Sequence, residues 1–111
     1  VEIYHHDQIF NRTIRHLQST PNVCEEDKTN ILKLVEHLLA KGVSKPRAVK
    51  YINHLIILTR MAGKPLAQHM RRDVERLVSR INTADYTEST KYDYKIILTK
   101  FLKLPRNMMS L

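Results

Sequence analysis

The side chains able to do chemistry in this sequence are mostly cationic, and they recur at helical spacing. Arg47, Lys50, Tyr51 and His54 fall at i, i+3, i+4 and i+7, so one helix would place all four on a single face. Ser44 and Lys45 stand at its amino end. An exposed face of this kind can enter a major groove, with Arg and Lys on phosphates or guanine edges. The helix start can add backbone N–H groups for a phosphate. The competing reading is a solvated face with a partly buried Tyr51. A second cluster gathers Thr87, Ser89, Thr90, Lys91 and Lys95 at another predicted helix start, where hydroxyls and lysines suit phosphate contacts. Simple capping by Thr87 or Ser89 would account for part of it. A third stripe, Arg72, Arg76 and Arg80, reads as a solvated or ion-paired face, with Asp73 and Glu75 at hand for Arg76.

Other reactive residues form no constellation. His5-His6 could hold a metal weakly, but no further Cys or His stands at ligand spacing, so no structural zinc site and no cofactor are expected. Cys24 has no cationic neighbour in sequence and reads as inert packing. His37 reads as plain surface. The chain's two glycines cannot build a phosphate-cradling loop. The Glu25-Glu26-Asp27 run is explained by a helix start, where the dipole favours negative charge.

Charge placement sharpens the picture. The formal net charge of the 111 residues is +8. Residues 1–43 carry five Lys/Arg against six acids, whereas residues 44–103 carry thirteen against five. The excess therefore belongs to the later helical segments, and it fits a polyanionic partner. A single cysteine excludes an intrachain disulfide, so a reducing compartment is expected. The longest apolar run, Leu55–Leu58, is too short to span a membrane. No signal peptide is visible. The start without Met and the end at Leu111 suggest a piece of a longer polypeptide.

These residues need helices to position them. Few glycines and prolines, with apolar positions at i, i+3 and i+4, predict an all-α bundle of four to five helices. Ile3, Ile9 or Phe10, Ile14 and Leu17 predict a helix over 3–18, broken at Thr20-Pro21-Asn22. Asn22 with Glu25 suggests a capping box for the next helix. Its stripe is Ile31, Leu34, Val35, Leu38 and Leu39, and Gly42 closes it in the left-handed position. Ser44 caps a third helix with Pro46 in its first turn and an inner face of Ala48, Ile52, Leu55, Ile56 and Thr59; Gly63 ends it. A fourth helix, starting near Pro65 or only near Arg71 after a short turn, carries Val74, Leu77, Val78 and Ile81. The fifth, capped by Thr87 or Ser89, turns Tyr94, Ile97, Leu98 and Phe101 inward and stops at Pro105.

Four of these pieces, in this order, carry a family resemblance. They are Lys28-Thr29-Asn30-Ile31 running to Ala40-Lys41-Gly42-Val43-Ser44; Arg47 to Leu55; Arg72-Asp73-Val74-Glu75-Arg76-Leu77-Val78; and Tyr86 to Lys95 with Lys100-Phe101-Leu102. Over Asp27 to Leu104 the chain resembles the SAM-like core-binding domain of tyrosine recombinases, especially archaeal integrases. The resemblance implies an amino-terminal helical extension over 1–21, a core-binding domain over 22–104, and a tail or linker start over 105–111. It implies one half of a clamp on double-stranded DNA, with helices 44–60 and 87–103 at the major groove and Ser44, Lys45, Arg47, Lys50, Tyr51, His54, Thr87, Ser89, Thr90, Lys91 and Lys95 as contacts. It implies further partners, namely the catalytic domain of the same parent chain and other recombinase protomers on DNA, and a cytoplasmic, nucleoid-associated setting in a prokaryote. His69-Met70-Arg71-Arg72 spells the His-x-x-Arg of recombinase active sites, but the arginine, lysine and tyrosine nucleophile that must surround it have no room here, so no enzyme activity is expected of this chain. Two departures stand out: Met70 replaces a capping Thr, and Leu104-Pro105-Arg106 interrupts the closing helix where the family runs on through a Trp. The alternative is a non-catalytic helical protein-interaction domain with a basic surface.

Overall fold

The computed structural model describes residues 2–103, with side chains from His6 onward. The described residues are all-helical: α1 (Glu2–Ser19), α2 (Glu25–Ala40), α3 (Lys45–Ala62), α4 (Arg71–Thr83) and α5 (Glu88–Leu102), with one 3₁₀ turn at Leu66–Gln68 between α3 and α4. None of these helices is long and apolar enough to cross a membrane. The expected stop at Pro105 and the tail 105–111 lie outside the described residues, as do the side chains of Ile3 and His5.

Helix α3 is the central element. Its buried face comprises Ala48, Tyr51, Ile52, Leu55, Ile56, Leu58 and Thr59, more than a third of the helix circumference. That breadth lets α1, α2, α4 and α5 all pack against or beside it. Leu17 of α1, Ile31 and Leu34 of α2, Leu77 and Ile81 of α4, and Ile97, Leu98 and Phe101 of α5 close one continuous core. Burying each such Leu or Ile contributes roughly 1.5–3 kcal/mol. Leu17 of α1 and Val23 of the following turn belong to this same core.

Local chemistry sets the helix ends. Ser44 and Thr87 cap α3 and α5, each hydroxyl accepting the backbone N–H three residues on, from Arg47 at 3.4 Å and Thr90 at 3.2 Å. Gly63 ends α3 at φ +76°, and Gly42 follows α2 at φ +90°, both in the left-handed region where a side chain is strained. Helix α2 departs from expectation. Its cap position is Cys24, not Asn22, and no side chain caps it. Asp27 instead reaches outward across the fold: it is 2% exposed, and its Oδ1 accepts the Leu66 N–H at 2.9 Å. Lys28, also buried, donates from Nζ to the Gln18 carbonyl at 3.0 Å, satisfying a last-turn carbonyl of α1. The acidic run is thus more than helix-start electrostatics. Asp27 ties the 3₁₀ turn that precedes α4 to the first turn of α2.

Candidate nucleic-acid interface

Helices α3 and α5 lie side by side. Lys50 Nζ meets Asp93 Oδ2 at 2.9 Å, and the His54 and Tyr94 rings sit 4.6 Å apart between centroids. The Tyr86 ring lies 5.3 Å from that of Tyr94, tilted at 40°. Burial, with Tyr86 beside it, pushes the Tyr94 hydroxyl pKa up, in keeping with a packed and neutral phenol. The His54 Nδ1 lies 2.8 Å from the Lys50 carbonyl, which can only accept, so Nδ1 carries the proton and the ring orientation is held.

The predicted contact residues divide unevenly. Arg47 is exposed and has no carboxylate partner among the described residues. Lys50 is exposed but paired with Asp93, and His54 is half-buried. Ser44, Thr87 and Ser89 are exposed and Thr90 is half-buried; the Ser44 and Thr87 hydroxyls are occupied as caps, and Thr87 also donates to the Thr90 hydroxyl at 3.0 Å. Lys45 lies over the Phe10 ring and pairs with Asp7 of α1 at 2.6 Å, a partner 38 residues away in sequence.

Three predicted contacts are less open than their spacing implies. Tyr51 is 5% exposed and belongs to the core, because its position on α3 turns toward α5, where Lys100 covers its ring at 5.9 Å. The Lys91 side chain is only 14% exposed and lies against Glu88 at 3.4 Å, so it presents little cation to solvent. Lys95 donates to Asn82 of α4 at 2.8 Å. It is two residues, or about 200°, around α5 from Asp93, so it faces α4 and does not join Lys50 on the α3 side. The structure therefore brings Lys50 and His54 against the middle of α5, at Asp93 and Tyr94, while the start of α3 lies toward the carboxyl end of α5, where Val43 shares a groove with Lys100 and Lys103. The Thr87–Thr90 cluster is toward the other end, and Lys95 faces α4.

In the comparisons with known proteins, no family model, no curated protein and no solved structure matches this chain.

His69 is buried with Nδ1 3.1 Å from the Pro65 carbonyl, which holds the ring against the 3₁₀ turn. Cys24 is exposed and not packed in the core. Partial shielding of its sulfur, with Asp27 and Glu26 beside it, pushes the thiol pKa up, which disfavours the thiolate. His37 is half-buried at the edge of a groove lined by Leu34, Leu38, Lys41 and Lys100, so it is not plain surface. No group of three or more metal-ligating side chains occurs among the described residues.

Sequence reasoning missed the acids that meet the predicted cations, Asp7 and Asp93, because both pairs join separate helices. It also misassigned the acids of α4. Asp73 pairs with Lys64 at 2.6 Å and accepts the Met70 N–H at 3.0 Å; Glu75 takes Arg71 at 3.3 Å. The Asp73 role had a readable signal, since an acid at the third helical position caps the helix start. The hydrogen bond from Lys64, seconded by the Met70 N–H, holds the Asp73 carboxyl below its ordinary range.

Proposed function

We propose that this chain is the DNA-binding domain of a site-specific tyrosine recombinase or integrase, and that it clamps duplex DNA through the adjoining exposed surfaces of α3 and α5. The observation that carries the reading is the side-by-side packing of these two helices, joined by Lys50–Asp93 and His54–Tyr94. The family resemblance implies that the same two helices approach one major groove. The surplus of cations in residues 44–103 supports the same partner. Arg47 is the leading contact, with Lys50 and His54 beside it. Strand exchange would reside in a catalytic domain of the parent chain, and other protomers would join on DNA, in the cytoplasm of a prokaryote.

The ion pairs do not forbid this. Lys50 and Asp93 are both partly exposed, and exposed pairs are worth about 0.2–1 kcal/mol, so a phosphate can compete for the lysine. The same pairs do favour a second reading. A surface whose lysines already meet Asp7, Asp93 and Glu88 suits a helical protein-interaction domain with a basic surface.

The test is the double substitution Arg47→Ala with Lys50→Ala. Duplex DNA affinity should fall, and the slope of log K against log salt should lose about 0.9 per phosphate contact removed. Helicity should be unchanged. Unaltered affinity with intact folding would exclude the α3 surface as the DNA contact.

A further inference from the structure

We propose a second phosphate-binding surface at the corner between α3 and α4, formed by Arg76 and Arg80 over a cleft with Lys64 and extended along α4 by Arg72. Its ligand is the phosphodiester backbone of nucleic acid, and in that respect it rests on the DNA-binding reading. The surface itself is separate from the one formed by Arg47, Lys50 and His54.

The cleft has a volume of about 230 Å³ and is lined by Ala62, Gly63, Lys64, Asp73, Arg76 and Arg80, among others. That is far more than one water needs. Three cations meet one carboxylate there. The acids of α4 are already committed: Asp73 to Lys64 and to the Met70 N–H, Glu75 to Arg71. Arg72 and Arg76 are exposed and left without a carboxylate among the described residues. Arg80 donates one N–H to the Met61 carbonyl at the end of α3, which orients the guanidinium and leaves four of its five donors for a ligand. Arg72, Arg76 and Arg80 recur every four residues, so their Cα atoms follow one flank of α4 over about 12 Å. Guanidiniums in a row match phosphate oxygens through paired N–H donors.

Distance separates this surface from the first one. Arg47 and Ala62 are 15 residues apart on α3, or about 22 Å along its axis. On α4, Lys95 of α5 reaches Asn82, whereas the arginine row lies toward the carboxyl end of α3. A duplex seated on Arg47 and Lys50 would have to extend or bend past α3 to reach Arg76. The corner thus adds contacts with a flanking segment or with a second duplex, and these contacts read backbone charge and not base sequence.

The experiment uses the whole chain and a duplex of about 20 base pairs, ample for both surfaces at ~3.4 Å per step. Arg72→Ala with Arg76→Ala is compared with Arg47→Ala plus Lys50→Ala over a salt series. Neither Arg72 nor Arg76 makes an ion pair among the described residues, so folding should survive, and circular dichroism checks it. Losing two phosphate contacts should lower the salt slope by about 1.8 and weaken binding up to roughly 60-fold at ~0.1 M salt. Asp73→Asn, which keeps an oxygen for the Met70 N–H but releases Lys64, should tighten binding and steepen the slope. If the α4 pair leaves slope and affinity unchanged while the α3 pair abolishes binding, the corner site is wrong and the DNA-binding reading stands. If only the α4 pair weakens binding, the corner site stands and the α3 surface falls. If neither pair matters, both are wrong.

Discussion

Replacing Asp27 tests whether one buried carboxylate ties the 3₁₀ turn before α4 to α2. Its Oδ1 accepts the Leu66 N–H at 2.9 Å, and both residues are buried, Asp27 at 2% exposure and Leu66 at 0%. Asp27→Ala leaves that N–H with no acceptor and little access to water, which costs about 1–3 kcal/mol. It also removes a negative charge from the first turn of α2, worth a further ~0.3–1 kcal/mol. Relief of the carboxylate's own desolvation offsets part of this, since burial is what pushes the Asp27 carboxyl above its ordinary range. The expected net loss is therefore about 2 kcal/mol. Asp27→Asn keeps an oxygen for Leu66 and should cost less than about 1 kcal/mol. Urea unfolding followed by circular dichroism measures both, with an unchanged m-value. Equal losses in the two variants, or an alanine variant within about 0.5 kcal/mol of wild type, would refute the account.

The same carboxyl makes a pH prediction with a definite sign. Its pKa is raised on folding, so the folded state binds the proton more tightly than the unfolded state. Asp27's contribution is then most favourable below the unfolded value, near ~3.9, and declines as pH rises to the elevated folded value. Acidification through that window should shift the stability difference between wild type and Asp27→Asn toward wild type. A shift in the opposite direction would mean that the hydrogen bond from Leu66 outweighs desolvation.

Two further substitutions separate structure from binding. Tyr51→Ala should cost about 3–5 kcal/mol, as truncation of a large core aromatic does, while Tyr51→Phe should leave DNA affinity within about twofold; a large affinity loss in the phenylalanine variant would return Tyr51 to the contact surface. Asp93→Asn should change stability by less than about 1 kcal/mol, because the pair is partly exposed, yet release Lys50 and steepen the salt dependence of DNA binding by about one contact; an unchanged slope would mean that Lys50 does not reach phosphate.

Much of the fold is determined by sequence alone, because the information is local. Ile31, Leu34, Val35 and Leu38 recur at helical spacing and are all buried, as are Ala48, Ile52, Leu55 and Ile56. Ser44 and Thr87 are caps because a hydroxyl three residues before an N–H reaches it wherever a helix starts. Gly42 and Gly63 end helices because the backbone there takes positive φ. Each of these signals acts within one or two turns of the chain.

Tertiary structure decided which cations remain available. Lys45 and Lys50 look alike in sequence to Arg47, but Asp7 and Asp93 approach them from α1 and α5. Tyr51 sits at the spacing of a surface stripe, yet α3 is buried over so wide an arc that the stripe's edge becomes core. Arg76 has acids within three residues and pairs with neither, since Lys64 and Arg71 hold them. Ion pairing between helices depends on distances in space that spacing along one helix does not contain, and for that reason the surface charge of this domain could be read only from the assembled bundle.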